Sequence, residues 1–185
     1  MNNIIKQESK NKMTTDFFNE EVNEELDKQN SGYFKFEEGD NLLRIVSGFA
    51  WGLKYDFKNS AEGKEKGYPF FRNDDPSIAT FRSKLHLSAS MVVYDYSAKE
   101  LKTLSIHQKA ILLALRKYSE NVKYGVLTGY DITITKTVTS QGTRYPSTIA
   151  DPKEELSAEI VEALKKVTIN LDNAYENKPM IEEIV

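Results

Sequence analysis

Between Phe49 and Arg72 the chain reads FAWGLKYDFKNSAEGKEKGYPFFR, a stretch in which rings and cations alternate. Trp51, Tyr55, Phe57, Tyr68 and Phe70 stand beside Lys54, Lys58 and Arg72. Rings stack on unpaired bases and Lys or Arg neutralises phosphates, so this mixture suits a single-stranded nucleic acid. The competing reading is that the rings fill a core and the lysines are ordinary solvated charges. Tyr68, Phe70 and Phe71 crowd together, and three such close rings cannot share one direction, so at least one of them is expected inside. The middle of the stretch, NSAEGKEKG, has no apolar period and reads as a loop.

Further candidates lie downstream. Arg82 and Lys84 alternate with Phe81 and Leu85, which would set both cations on one strand face as phosphate contacts. Tyr94 and Tyr96 share a strand face at period two, the spacing of a stacking platform or of two core-edge rings. Lys136 and Arg144 flank a turn and either bracket a passing backbone or are simply solvated. Arg44 interrupts an apolar strand, where it reaches a phosphate or pairs with an acid such as Asp131. Asp131 itself reads as a structural hydrogen-bond partner. Asp74-Asp75 precedes a proline and reads as turn chemistry.

Signals for catalysis are missing: no Gly-rich phosphate loop, no HExxH, no nucleophile elbow. The chain has no cysteine, which excludes disulfides, thiolate zinc and a thiol nucleophile, and its histidines, His86 and His107, are isolated. The reading is a non-enzymatic protein without a cofactor.

Composition is that of a soluble globular protein, with 39% hydrophobic and 29% charged residues. No apolar run is long enough for a membrane span, and MNNIIKQESK lacks a signal-peptide core, so the cytoplasm is the expected compartment. The net charge of −3 conceals a strong asymmetry. Residues 1–43 hold 5 Lys/Arg against 10 Asp/Glu, residues 44–150 hold 16 against 9, and residues 151–185 hold 4 against 9. A +7 centre lies between two −5 ends.

The elements that must position these groups follow from period and punctuation. Residues 1–31 are a polar arm or a short acidic helix with Phe18, Val22 and Leu26 on one side. The domain runs over 32–150. It begins with a strand carrying Leu43, Ile45 and Val46, then the aromatic–cationic loop. Two strand candidates follow between Ile78 and Tyr96, a turn at 97–100, and a strand with Leu101, Leu104 and Ile106. A helical stripe over Ile106–Tyr118 comes next, then a strongly alternating strand from Tyr130 and its partner over Thr143–Ala150. Pro146 marks that partner as an edge or as the end of pairing. Residues 151–185 hold a helix with Ser157 at its N-cap and a thin acidic tail. The class is mainly β with helices (α+β). The order matches a five-stranded OB-fold barrel with a helix between strands 3 and 4, plus terminal extensions. In that fold the face of strands 2–3 and the first and last loops bind oligonucleotides and oligosaccharides.

Three stretches carry a resemblance: Tyr33-Phe-Lys-Phe-Glu-Glu-Gly-Asp-Asn-Leu-Leu-Arg-Ile-Val; Val93-Tyr-Asp-Tyr with Lys102-Thr-Leu-Ser-Ile; and Gly129-Tyr-Asp-Ile-Thr-Ile-Thr-Lys with Thr143-Arg-Tyr-Pro. Over residues 33–150 the chain resembles bacteriophage single-stranded DNA-binding proteins of the OB-fold type. The resemblance implies a protein that coats single strands in phage DNA replication, recombination and repair, in the host cytoplasm. It also implies partner proteins recruited through an acidic C-terminal region. Some relatives hold a structural zinc, for which this chain has no cysteine. Two other classes remain: a β-barrel interaction module whose aromatic loop is a hot spot for a host or replisome protein, and a nuclease with scattered carboxylates.

Overall fold

The computed structural model describes residues 32–55, 70–76, 85–121, 124–152, 155–176 and 178–184, with backbone alone for Tyr55, Phe70 and Phe71. The expected N-terminal arm or short helix and the candidates Phe57, Lys58, Tyr68, Arg82 and Lys84 lie outside the described residues. Residues 31–185 form one compact unit.

The fold is mainly β with two helices. The sheet strands are β1 (Gly39–Ile45), β2 (Ala50–Tyr55), β3 (Phe70–Phe71), β4 (Leu85–Asp95), β5 (Glu100–Ile106), β6 (Tyr130–Thr139) and β7 (Gly142–Pro152). They pair antiparallel in the order β3-β2-β4-β1-β6-β7, with β5 on the remaining edge of β4. Helix α1 (Lys109–Glu120) connects β5 to β6. The first segment, β4 and β5 are consecutive antiparallel neighbours, and β6 returns by the long helical connection to lie beside β1. This is a Greek-key path.

Sequence period and structure differ at three places. The two strand candidates between Ile78 and Tyr96 meet in one eleven-residue strand, β4. Conversely, the single expected first strand divides into β1 and β2, and β2 takes over the first part of the expected loop. Ile45 opposes Val93 and Ala50 opposes Ser90, so residues 46–49 face only Met91 and Val92. The excess residues bulge, and Ser47 Oγ accepts the Val92 N–H at 2.8 Å in place of a backbone carbonyl. Because two extra residues are inserted, inward and outward positions keep their alternation across the bulge.

The third difference is closure. The expected five-stranded barrel does not close: β5 and β7 remain unpaired with each other. At Thr103, the outer edge of β5 is taken by the incoming chain, with Phe34 N donating to Thr103 O and Thr103 N to Gly32 O, both at 2.8 Å. From there Phe34 packs edge-on against Phe36, and Phe36 against Tyr145 of β7, each at 5.3 Å. Rings thus stand between the two edges where backbone pairing would have been. Pro146 within β7 has no N–H to offer in any case.

Alternate residues of the strands build the core: Leu43 and Ile45; Ala89, Met91 and Val93; Leu104 and Ile106; Ile132 and Ile134. Ile111 and Leu115 of α1 cover one end, and Tyr118 Oη reaches Thr148 O at 3.4 Å. The other face of β4, namely Ser88, Ser90, Val92 and Tyr94, is buried too. The C-terminal segment covers it. Helix α2 (Ala158–Leu164), with Ser157 Oγ accepting from Ile160 N, packs against β5. The hairpin of β8 (Val167–Ile169) and β9 (Ile181–Glu183) and the 3-10 turn Leu171–Ala174 complete the cover, with β9 on β5 and the turn on β2 and β4. The segment read as a thin tail is packed: β9 pairs with β8 beside buried Met180. No helix among the described residues is long and apolar enough to cross a membrane.

Candidate nucleic-acid interface

Trp51 lies on β2 opposite Ala89, and Leu53 opposite Leu87. These side chains continue the row that forms the core further along β4, but here the row emerges from the protein. Trp51 is 45% exposed and Leu87 50% exposed. The Trp51 indole rests on Phe49, with ring centroids 5.7 Å apart and planes 30° apart. Part of the indole is thus packed against a half-buried ring while the rest reaches the surface. Phe49 was not among the sequence-derived candidates; its signal was the i, i+2 spacing to Trp51.

Lys54 points to the opposite side of β2. Its ammonium crosses β4 and donates to Ser105 Oγ on β5 at 3.3 Å. Ser90 Oγ donates to the same oxygen at 3.2 Å, and Ser88 Oγ donates to Ile106 O at 3.0 Å. Burial lowers the Lys54 pKa, because a charged ammonium loses water when it lies along a sheet face. Lys54 and Trp51 therefore serve different faces, which adjacent positions in a loop would not have required.

Arg72 follows β3 and is exposed. It pairs with Asp172 at 2.7 Å, and its guanidinium carbon lies 4.2 Å from the centre of the Tyr175 ring. Tyr175 Oη in turn donates to the Trp51 carbonyl at 2.7 Å. Trp51 and Arg72, 21 positions apart, are joined through a residue more than 100 positions from either. Sequence carried no sign of this: nothing in NLDNAYEN marks a contact to β2.

Tyr94 and Tyr96 do share a face, but not as a stacking platform. Tyr94 is 1% exposed, and burial, followed by the Glu159 carboxylate, raises its pKa. The two rings meet edge-to-face at 5.4 Å. Their face is covered by the C-terminal segment, so Tyr94 has no free ring face to offer a base. Tyr96 Oη donates to Asp131 Oδ1 at 2.7 Å, and Asp131 Oδ1 also receives Arg44 Nη1 at 3.2 Å. Arg44 Nε donates to Thr128 O at 2.9 Å. Arg44 thus takes the acid rather than a phosphate. Burial first, and then the bond to Asp131, push Tyr96 up to about 12.

The raised Tyr96 pKa has a consequence at alkaline pH. The folded state holds this proton more tightly than the unfolded chain, whose tyrosine titrates near 10. The contribution is complete below pH about 10 and is lost as pH rises through about 12. Tyr96→Phe is expected to be less stable than wild type at pH 8, with the difference shrinking across that window, as read by urea unfolding at stepped pH. A difference that stays constant to pH 12 would show that Tyr96 is not held protonated.

Lys136 and Arg144 lie on the β6–β7 hairpin, whose turn needs the positive φ of Gly142 (115°). Lys136 Nζ donates to Phe36 O at 2.6 Å, tying the hairpin to the incoming chain, while Arg144 is exposed and donates to Gln141 Oε1 at 2.7 Å. Tyr55 and Phe70 belong to β2 and β3, with Phe70 opposite Lys54. Among the described residues, no three His, Asp or Glu side chains gather as metal ligands would.

Compared with known proteins, the chain matches no family model, no curated protein and no solved structure. Its function has to be read from the site alone.

Proposed function

We propose that this protein binds single-stranded DNA with little sequence preference, by base stacking and Lys/Arg–phosphate contacts. It protects strands during phage DNA replication, recombination and repair in the host cytoplasm and performs no chemistry of its own. The observation that carries this reading is Trp51: an indole that rests on Phe49 and is 45% exposed, in a strand row that runs to exposed Leu87. A solvent-exposed indole is a surface on which an unpaired base stacks, and it belongs to the +7 part of the chain.

The topology supports an OB-type assignment. With β1 and β2 taken as one bent strand, the path β5-β4-β1/β2-β6-β7 has the strand order 3-2-1-4-5, and α1 lies between strands 3 and 4. OB barrels are Greek-key and partly open. The C-terminal cover on β4 and β5 takes up the strand 2–3 face, so the strand path in this reading runs along the Trp51–Leu87 row and Arg72 instead. Partner proteins of replication or recombination are assigned to the acidic 151–185 segment.

Titration with oligo-dT, followed by the fluorescence of the chain's one tryptophan, tests the proposal. Quenching at low salt is expected, with affinity falling linearly in log salt as counterions are released. No quenching at low salt, or salt-independent affinity, overturns it. The exposed Trp51–Leu87 pair would then be the hot spot of a protein contact.

A further inference from the structure

We infer that the space beside Arg72 is a one-nucleotide subsite, a place for one anion and one planar ring, which the free protein fills with its own Asp172 and Tyr175. The inference rests on the single-strand reading above and adds to it a specific subsite and its internal occupant.

The geometry is that of a nucleotide on an arginine. A guanidinium has two distinct recognition surfaces: its in-plane N–H groups take a carboxylate or phosphate oxygen, and its flat face takes a ring. Arg72 uses both at once. Nη2 meets the Asp172 carboxylate at 2.7 Å, and the flat carbon lies 4.2 Å from the Tyr175 ring centre. The occupant is held ready rather than draped by chance. Asn170 Oδ1 accepts from Asp172 N at 3.1 Å, and the buried Asn173 amide donates to Pro179 O and Glu182 Oε1 at 2.8 and 2.7 Å. Tyr175 Oη is anchored on the Trp51 carbonyl. The turn therefore presents an anion and a ring three residues apart to one cation on a distant segment.

The contact is also easy to displace. Side chains of Arg72 and Asp172 are 55% and 71% exposed, so water and salt compete with the pair. A strand that reaches Arg72 offers a phosphate and a base to the same guanidinium, which Tyr175 ties to the Trp51 main chain. The strand must expel Asp172 to use Arg72.

The test compares oligo-dT binding, by anisotropy of a labelled strand at low salt, in wild type, Asp172→Asn, Arg72→Ala and the double variant. Asp172→Asn alone is expected to tighten binding about two- to fivefold, since it removes an exposed ion pair that the strand must break. In the Arg72→Ala background the same change is expected to do nothing. In parallel, saturating oligo-dT is expected to speed hydrogen exchange across 171–176. If oligo-dT binds but Asp172→Asn leaves affinity unchanged or weaker, or the exchange of 171–176 does not respond, the subsite is overturned and the single-strand reading stands. If no variant binds oligo-dT, both fall. Asp172 is exposed and its replacement leaves the buried Asn173 contacts in place, so a misfolded variant does not stand behind any of these outcomes.

Discussion

Asp131→Ala is expected to destabilise the folded unit by about 3–5 kcal/mol, the loss typical when one partner of a buried ion pair is removed. The Arg44 and Asp131 side chains are 3% and 12% exposed, so neither is solvated in compensation. One carboxylate oxygen receives both Arg44 Nη1 and Tyr96 Oη. Removing it takes away the shared acceptor of a buried guanidinium and a phenol, while the bond from Arg44 Nε to Thr128 O remains. Asp131→Asn keeps an acceptor and loses only the charge, and is expected to cost less. Replacing both partners at once, Arg44→Met with Asp131→Leu, is expected to recover most of the loss, because the larger penalty comes from leaving one charge alone. Urea unfolding followed by circular dichroism measures all three. A loss below about 1 kcal/mol for Asp131→Ala would mean that the pair behaves as an exposed one.

Trp51→Ala is expected to weaken oligo-dT binding by about 5- to 150-fold, the value of roughly 1–3 kcal/mol for one stacked base. Stability should change by less than about 1 kcal/mol, since nearly half of the indole is already in water. The salt slope should be untouched, because an indole neutralises no phosphate. Arg72→Ala is expected to behave the opposite way, lowering the slope by about one. Anisotropy of a labelled strand at four salt concentrations separates the two. Equal affinity for wild type and Trp51→Ala would remove stacking at this position from the mechanism.

Strand-rich architecture was legible wherever one face of an element met water. The alternation of Tyr130, Ile132 and Ile134 predicts β6, and all three are buried. Ser157 reads as an N-cap and is one, and Pro146 lies within an edge strand. Legibility failed where both faces were covered. β4 is apolar or small on both sides because the core takes one and the C-terminal segment the other, so its period gave two candidates instead of one strand. Closure was illegible for a different reason. Whether β5 pairs with β7 depends on what else reaches the Thr103 edge, and the competitor, Gly32–Phe34, is about 70 residues upstream.

Within the site, residue type placed Trp51 and Arg72 among the candidates but could not separate them from Tyr94. All are aromatic or cationic groups in the same basic segment. Tyr94 and Tyr96 met the period-two criterion for a stacking platform and belong instead to a covered face, one ring end-on to the other. Lys54 was grouped with Trp51 by proximity, and strand geometry sends it to the opposite side.

Sequence by itself determined the class of the fold, the positions of α1, α2 and strands β1, β5, β6 and β7, the +7 centre, and the supply of rings and cations in it. These are local or additive properties, set by period, punctuation and count. Only the tertiary structure decided which rings face water, that the sheet stays open, and that Arg72 is met by Asp172 and Tyr175. Each of those depends on a contact between distant segments, and burial of one side chain is decided by whatever other part of the chain comes to rest on it.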